Sequence, residues 1–163
     1  NRMIILGLDP GIARTGFGVI DTNTDALFLR CGCLTTGPEQ ASEDRLQEIG
    51  ADLEHLIAAT KPDRAIVETV LFGNNRKTAM LTAETRGMLL YILRKNKIAV
   101  SSLTPLQIKS RLTGYGQASK SQVQHVVTQR LKLTTIPEPD DAADALAAAL
   151  CIADEPVASL LPA

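Results

Sequence analysis

Met3-Ile4-Ile5-Leu6-Gly7-Leu8-Asp9-Pro10-Gly11 is an apolar run that stops on a carboxylate followed by two turn-forming residues. It reads as a buried strand with Asp9 at its tip. Thr15-Gly16-Phe17-Gly18-Val19-Ile20 and the stretch 26–34 read as two more strands, joined through the turn composition Asp21-Thr22-Asn23-Thr24-Asp25. Three consecutive strands imply an antiparallel meander. Leu46, Ile49, Leu53, Leu56 and Ile57 then recur at helical spacing, in a helix expected to be capped by Ser42 and to stop before Pro62. Arg64-Ala65-Ile66-Val67-Glu68 is a second short strand closing on an acid. A helix over about 78–95 and a strand over 98–103 complete a β-α-β unit, which favours a parallel, right-handed connection.

Thr104-Pro105 has the form of a helix start, and Gly114-Tyr115-Gly116 of its end. Ser119 suits the cap of the next helix, in which Val123, Val126, Val127 and Leu131 share a face. Pro137-Glu138-Pro139 breaks the chain before a final, alanine-rich helix. The expected architecture is α/β, a mixed five-stranded sheet flanked by helices, forming one domain over 3–153 with a tail over 154–163.

Of the 163 residues, 45% are hydrophobic and 21% charged, as in ordinary globular proteins. No run approaches the roughly 18 apolar residues of a membrane span, so the cytoplasm is the expected compartment. Cys31, Cys33 and Cys151 cannot all pair and lack zinc-ligand spacing, which reads as buried reduced thiols. His55 and His125 fall in amphipathic helical patterns and read as surface or boundary residues rather than metal ligands. Net charge is −1, but its distribution is uneven: residues 64–132 carry 12 Lys and Arg against 2 Asp and Glu, while 1–63 carry 5 against 10 and 133–163 carry 0 against 6. A polyanion such as DNA is drawn to the basic middle segment, and the acidic flanks supply carboxylates.

Asp9, Glu68, Asp141 and Asp144 are the acids to weigh. In Asp140-Asp141-Ala142-Ala143-Asp144 the spacing of three sets Asp141 and Asp144 on one helix face. Phosphodiester hydrolysis needs an activated water and relief of charge on the leaving oxygen, tasks that two metal ions roughly 4 Å apart perform together. Magnesium prefers oxygen ligands and keeps several waters, so three or four acids serve a pair, with Asp9 as the natural bridge. Each acid also has a plainer reading. Asp9 suits a turn start, Glu68 a helix cap or a solvated strand end, and Asp141 and Asp144 the positive end of a helix dipole.

Taken in order, the motifs resemble the RuvC Holliday junction resolvases of bacteria. Leu6-Gly7-Leu8-Asp9-Pro10-Gly11 with Thr15-Gly16-Phe17-Gly18-Val19 is similar to the family's first motif, Ile66-Val67-Glu68 to its second, and Asp141-Ala142-Ala143-Asp144-Ala145-Leu146 to its last. Lys109, Gly114-Tyr115-Gly116 and Lys120-Ser121-Gln122-Val123-Gln124-His125 resemble its DNA-contacting region. The resemblance implies an RNase H-like fold and a homodimer that nicks four-way DNA junctions symmetrically, in recombination and repair. Two Mg2+ ions per subunit are implied, with Mn2+ as a substitute, as is a branch-migration complex of RuvA and RuvB type. Asp9, Glu68, Asp141 and Asp144 would then be the ligands, and Lys109 and Lys120 would stand at the scissile phosphate. Asp140 neighbours Asp141, and the family pattern selects Asp141. Relatives commonly carry an aromatic residue near junction bases where this chain has Leu71, followed by Phe72; an apolar wedge at Leu71, a contact by Phe72 or a core role for Phe72 all suit the pattern. Arg76 and Lys77, just beyond, suit phosphate contact. The helix with Met80, Leu81, Met88, Leu89, Tyr91 and Ile92 is apolar over more than one face, as if packed on both a sheet and a second subunit.

Three rivals remain. Asp9-Pro10-Gly11 with Thr15-Gly16 also resembles the first phosphate loop of actin-like and sugar-kinase ATPases, but no second such loop follows. A nuclease of the same fold acting on hybrid or linear duplex would share the acids. A binding module without catalysis would not need them.

Overall fold

The structure is a computed structural model that describes residues 3–23, 27–70 and 76–153. Leu71, Phe72 and the stretch 154–163 lie outside the described residues. The elements run β1 (Ile4–Asp9), β2 (Arg14–Asp21), β3 (Phe28–Thr35), α1 (Ser42–Thr60), β4 (Arg64–Glu68), α2 (Arg76–Lys95), β5 (Ala99–Leu103), α3 (Pro105–Thr113), α4 (Lys120–Arg130) and α5 (Asp140–Ala153). The sheet order is β3-β2-β1-β4-β5. β1, β2 and β3 form the antiparallel meander, and β4 pairs in parallel with both β1 and β5.

Strand alternation then decides which side chains meet which helices. Leu6, Leu8, Phe17, Val19, Ala65 and Val67 face one way and pack with Ile49 and Leu53 of α1 and Leu89 and Leu93 of α2. Ile5, Ile20 and Ile66 face the other way, with Ile108 of α3, Val127 of α4 and Leu146 and Leu150 of α5. Asp9 follows Ile5 by four residues and Glu68 follows Ile66 by two, so both acids belong to the α5 side. Leu8 pairs with Val67, so β1 and β4 end on their acids side by side.

Helix α5 is apolar nearly all round, and its residues from Ala145 to Leu150 are buried. The strands beneath it are cleared of side chains at three places. A Cβ on Gly7 would fall on the carbonyl of Ala145, one on Gly16 on the carbonyl of Asp141, and one on Gly18 within 2.7 Å of the Leu146 nitrogen. Glycine on the strands and alanine on the helix bring the two backbones together.

Helix starts follow local chemistry in two of three expected places. Thr104 and Ser119 each make a full capping box, with Gln107 and Gln122. Ser42 does not cap α1: the cap position is Ala41, which makes no side-chain hydrogen bond, and Ser42 is the first helical residue. Glu43 and Asp44 in that first turn complement the helix dipole instead. The cysteines are free thiols, but all three are half-buried rather than buried. Cys31 and Cys33 lie on β3, at the sheet edge, where neighbours cover only part of each side chain. His55 and His125 are exposed, as expected.

Candidate active site

The close seating of α5 fixes the site. Gly16 pairs with Asp9 across β1 and β2, and the same glycine lies directly beneath Asp141. Asp141 is thus held over the tip of β1, and Asp144, one turn on, faces Glu68 across a cleft. That cleft, about 210 Å³, is lined by Glu68, Asp144, Lys109 and Lys120 with the apolar Ile108 and Val123.

The acids sense one another strongly. Burial pushes the Asp9 carboxyl up to about 7, with repulsion from Asp144 and Asp141 adding to it and Lys120 opposing. Burial likewise lifts Glu68 to about 8, reinforced by Asp9 and Asp144 and opposed by Lys109 and Lys120. Asp144 is raised by burial, against the pull of Lys120. Lys120 Nζ stands 3.0 Å from Asp140 Oδ2 and 3.3 Å from Asp144 Oδ2. Burial works to lower the pKa of this ammonium, but its hydrogen bonds to Asp140 and Asp144 outweigh that and raise it.

Glu68 and Asp144 line the cleft, and Asp9 and Asp141 lie near enough to interact electrostatically with Asp144; among the described residues, no three His, Cys, Asp or Glu side chains form a group that could hold a metal ion. The donors nevertheless suit a hard cation. All are carboxylate oxygens, and Asp141 Oδ2 is buried with no hydrogen-bond partner among the described residues. Arg14 Nε lies 3.1 Å from that oxygen, a charge contact whose N–H direction makes no hydrogen bond.

Two raised carboxyls set a pH dependence. In the unfolded chain both ionise near pH 4, whereas in the folded chain they keep their protons to about 7 and 8. Between those limits the folded state binds more protons, so stability falls as pH rises. Without divalent cations, the Tm should drop between about pH 6 and pH 8.5, and added divalent cation should flatten the slope. A Tm that holds level or climbs over that interval contradicts the burial of mutually repelling acids.

Several residues around the site carry no motif of their own. Arg86 reaches from α2 to donate from Nε to the Glu68 carbonyl at 3.2 Å and from Nη2 to Ser102 Oγ at 2.7 Å, tying together the ends of β4 and β5. Arg14 and Asp140 neutralise Asp141 and Lys120, and Gln124 Nε2 donates to Asp140 Oδ1 at 3.2 Å. Arg14 and Asp140 directly flank the first and last motifs, which is the only signal the sequence offers for them. Arg76 and Lys77 are exposed at the start of α2, away from the cleft lining.

A mixed sheet with acids at adjacent strand tips, a helix supplying two more, and lysines on the cleft wall defines a nuclease of the RNase H-like fold. The family model described as Crossover junction endodeoxyribonuclease RuvC matches residues 5–152. Proteins of that description from Natranaerobius thermophilus and Prochlorococcus marinus are 45% and 44% identical, each over 91% of this chain and over 93% and 94% of their own lengths. Thermus thermophilus RuvC superposes with a TM-score of 0.84 at 30% identity, covering 93% of both chains. Its complex with Holliday junction substrate gives a TM-score of 0.86 at 29% identity, with the same coverage. The yeast mitochondrial Holliday junction resolvase Ydc2, 14% identical with a TM-score of 0.63 over 91% of this chain and 78% of its own, shares the fold. The chain belongs to the RuvC family of crossover junction endodeoxyribonucleases.

Proposed function

We propose that this nuclease resolves four-way DNA junctions as a homodimer, by symmetric magnesium-dependent nicking in the cytoplasm, with Asp9, Glu68, Asp141 and Asp144 as the metal ligands. The carrying observation is a cleft lined by Glu68, Asp144 and two lysines, with Asp9 and Asp141 close enough to interact electrostatically with Asp144 and with a buried Asp141 oxygen that accepts no hydrogen bond among the described residues. Two bound Mg2+ ions, or Mn2+ in their place, would lower the pKa of a water and take up charge on the leaving oxygen.

Asp9 and Glu68, rigidly mounted on adjacent strands, set the position of that chemistry, and their raised pKa values mean that loading the site at neutral pH releases protons. Lys109 and Lys120 hold the phosphate and offset its growing charge. Arg76 and Lys77 contact backbone phosphates farther out, and Leu71 or Phe72 contacts the unpaired bases. Met80 and Tyr91, which are 61% and 68% exposed on α2, favour a second subunit on that face. Transfer from a branch-migration complex of RuvA and RuvB type rests on the family alone.

The test is nicking of a synthetic four-way junction against linear duplex and RNA-DNA hybrid, in magnesium and in calcium. Junction-selective nicking in magnesium alone is expected. Equal cleavage of linear duplex would make this a general nuclease. Junction affinity should fall steeply with salt, because Lys and Arg contacts release counterions; a salt-independent affinity would point away from phosphate.

A further inference from the structure

We propose that Asp140 is a positioning residue that, beside Asp144, holds the Lys120 ammonium at the cleft. The inference rests on the reading of Lys120 as the cation at the scissile phosphate.

Lys120 is the first residue of α4, and Asp140 is the first of α5. Their side chains meet at 3.0 Å, and the ammonium also touches Asp144 at 3.3 Å. Gln124, one turn along α4, donates to the other Asp140 oxygen at 3.2 Å. Asp140 is therefore oriented from both sides, with one oxygen on an amide and one on the ammonium. It does not line the cleft, whereas Lys120 and Asp144 do.

The geometry separates two duties that Asp144 cannot perform together. A carboxylate engaged with a divalent cation is a poor partner for an ammonium, since the cation repels the lysine it replaces. Lys120 tethered by Asp144 alone would leave as the site loads. With Asp140 also in contact, it keeps an anionic partner, and a long flexible side chain loses less order in reaching the phosphate. Asp140 is 63% exposed, so the pair is screened and its effect is modest.

The test is a double-mutant cycle on Asp140 and Lys120, read by single-turnover nicking, junction affinity and Tm. Asp140→Asn should slow the chemical step about two- to fivefold without weakening junction binding. Gln124→Ala should act in the same direction and less, and Asp140→Glu should restore part of the rate. In a Lys120→Ala background, Asp140→Asn should have no further effect on rate. Full multiplication of the two rate losses overturns the proposal, as does a loss that appears in Tm or junction affinity and leaves the chemical step untouched. Unimpaired nicking by Lys120→Ala would instead overturn the role given to Lys120 itself.

Discussion

Replacing Asp9 with asparagine is expected to reduce junction nicking by about 10²- to 10³-fold or more while leaving junction binding intact or tighter. The substitution keeps shape and removes charge at an acid that interacts electrostatically with both Asp141 and Asp144. Loss of this carboxylate removes the shared oxygen donor of the proposed metal pair, and no neighbour on β1 can replace it. Binding should survive because the basic residues proposed to meet phosphate are untouched, and one negative charge beside the backbone would be gone. The same substitution relieves repulsion in a buried group, so the Tm at about pH 8.5 should rise relative to the parent protein. Electrophoretic binding and single-turnover cleavage of one junction distinguish these effects. Cleavage preserved in Asp9→Asn would remove Asp9 from the site.

A single methyl group at Gly16 is expected to be nearly as damaging, through packing rather than charge. The new Cβ would collide with the Asp141 carbonyl and sit 3.0 Å from the Asp141 Cβ. Both obstacles belong to the first turn of α5, whose later turns are buried, so the strand cannot simply turn its side chain aside. Overpacking of this kind costs about 1–3 kcal/mol, and relief requires the helix to lift. Lifting it moves Asp141 and Asp144 away from Asp9 and Glu68, and a displacement near 1 Å can cost about a hundredfold in rate. Gly16→Ala should therefore lower both Tm and the magnesium-supported rate, with junction affinity little changed. Gly87, whose Cβ would meet nothing within 4 Å, is the control, and Gly87→Ala should not lower the Tm of the protein. Equal behaviour of the two variants would mean that the seating of α5 does not govern the site.

Much of this site is legible along the chain because strand endings and helix spacing are local properties. An apolar run that halts at Asp9 and another at Glu68 mark strand tips, and a spacing of three marks Asp141 and Asp144 as a pair. Thr104 and Ser119 announce their helices because a capping hydroxyl satisfies backbone donors only three residues away. Ser42 misleads for a related reason: it begins α1 from inside the first turn, and nothing local distinguishes that position from the cap at Ala41. Cys31 and Cys33 are half-buried because an edge strand depends on distant elements for its cover.

Sequence alone determined the order of strands and helices and the basic middle segment, which follow from short-range chemistry, and it singled out four candidate acids, with Asp141 preferred over Asp140 by family resemblance. Tertiary structure alone decided that Gly7, Gly16 and Gly18 admit α5 against the sheet, that Asp9 and Glu68 are lifted to about 7 and 8, and that Arg14, Arg86 and Asp140 brace the site. Desolvation and charge coupling depend on which surfaces meet in space, and those meetings join β1, β4 and α5 across long stretches of chain.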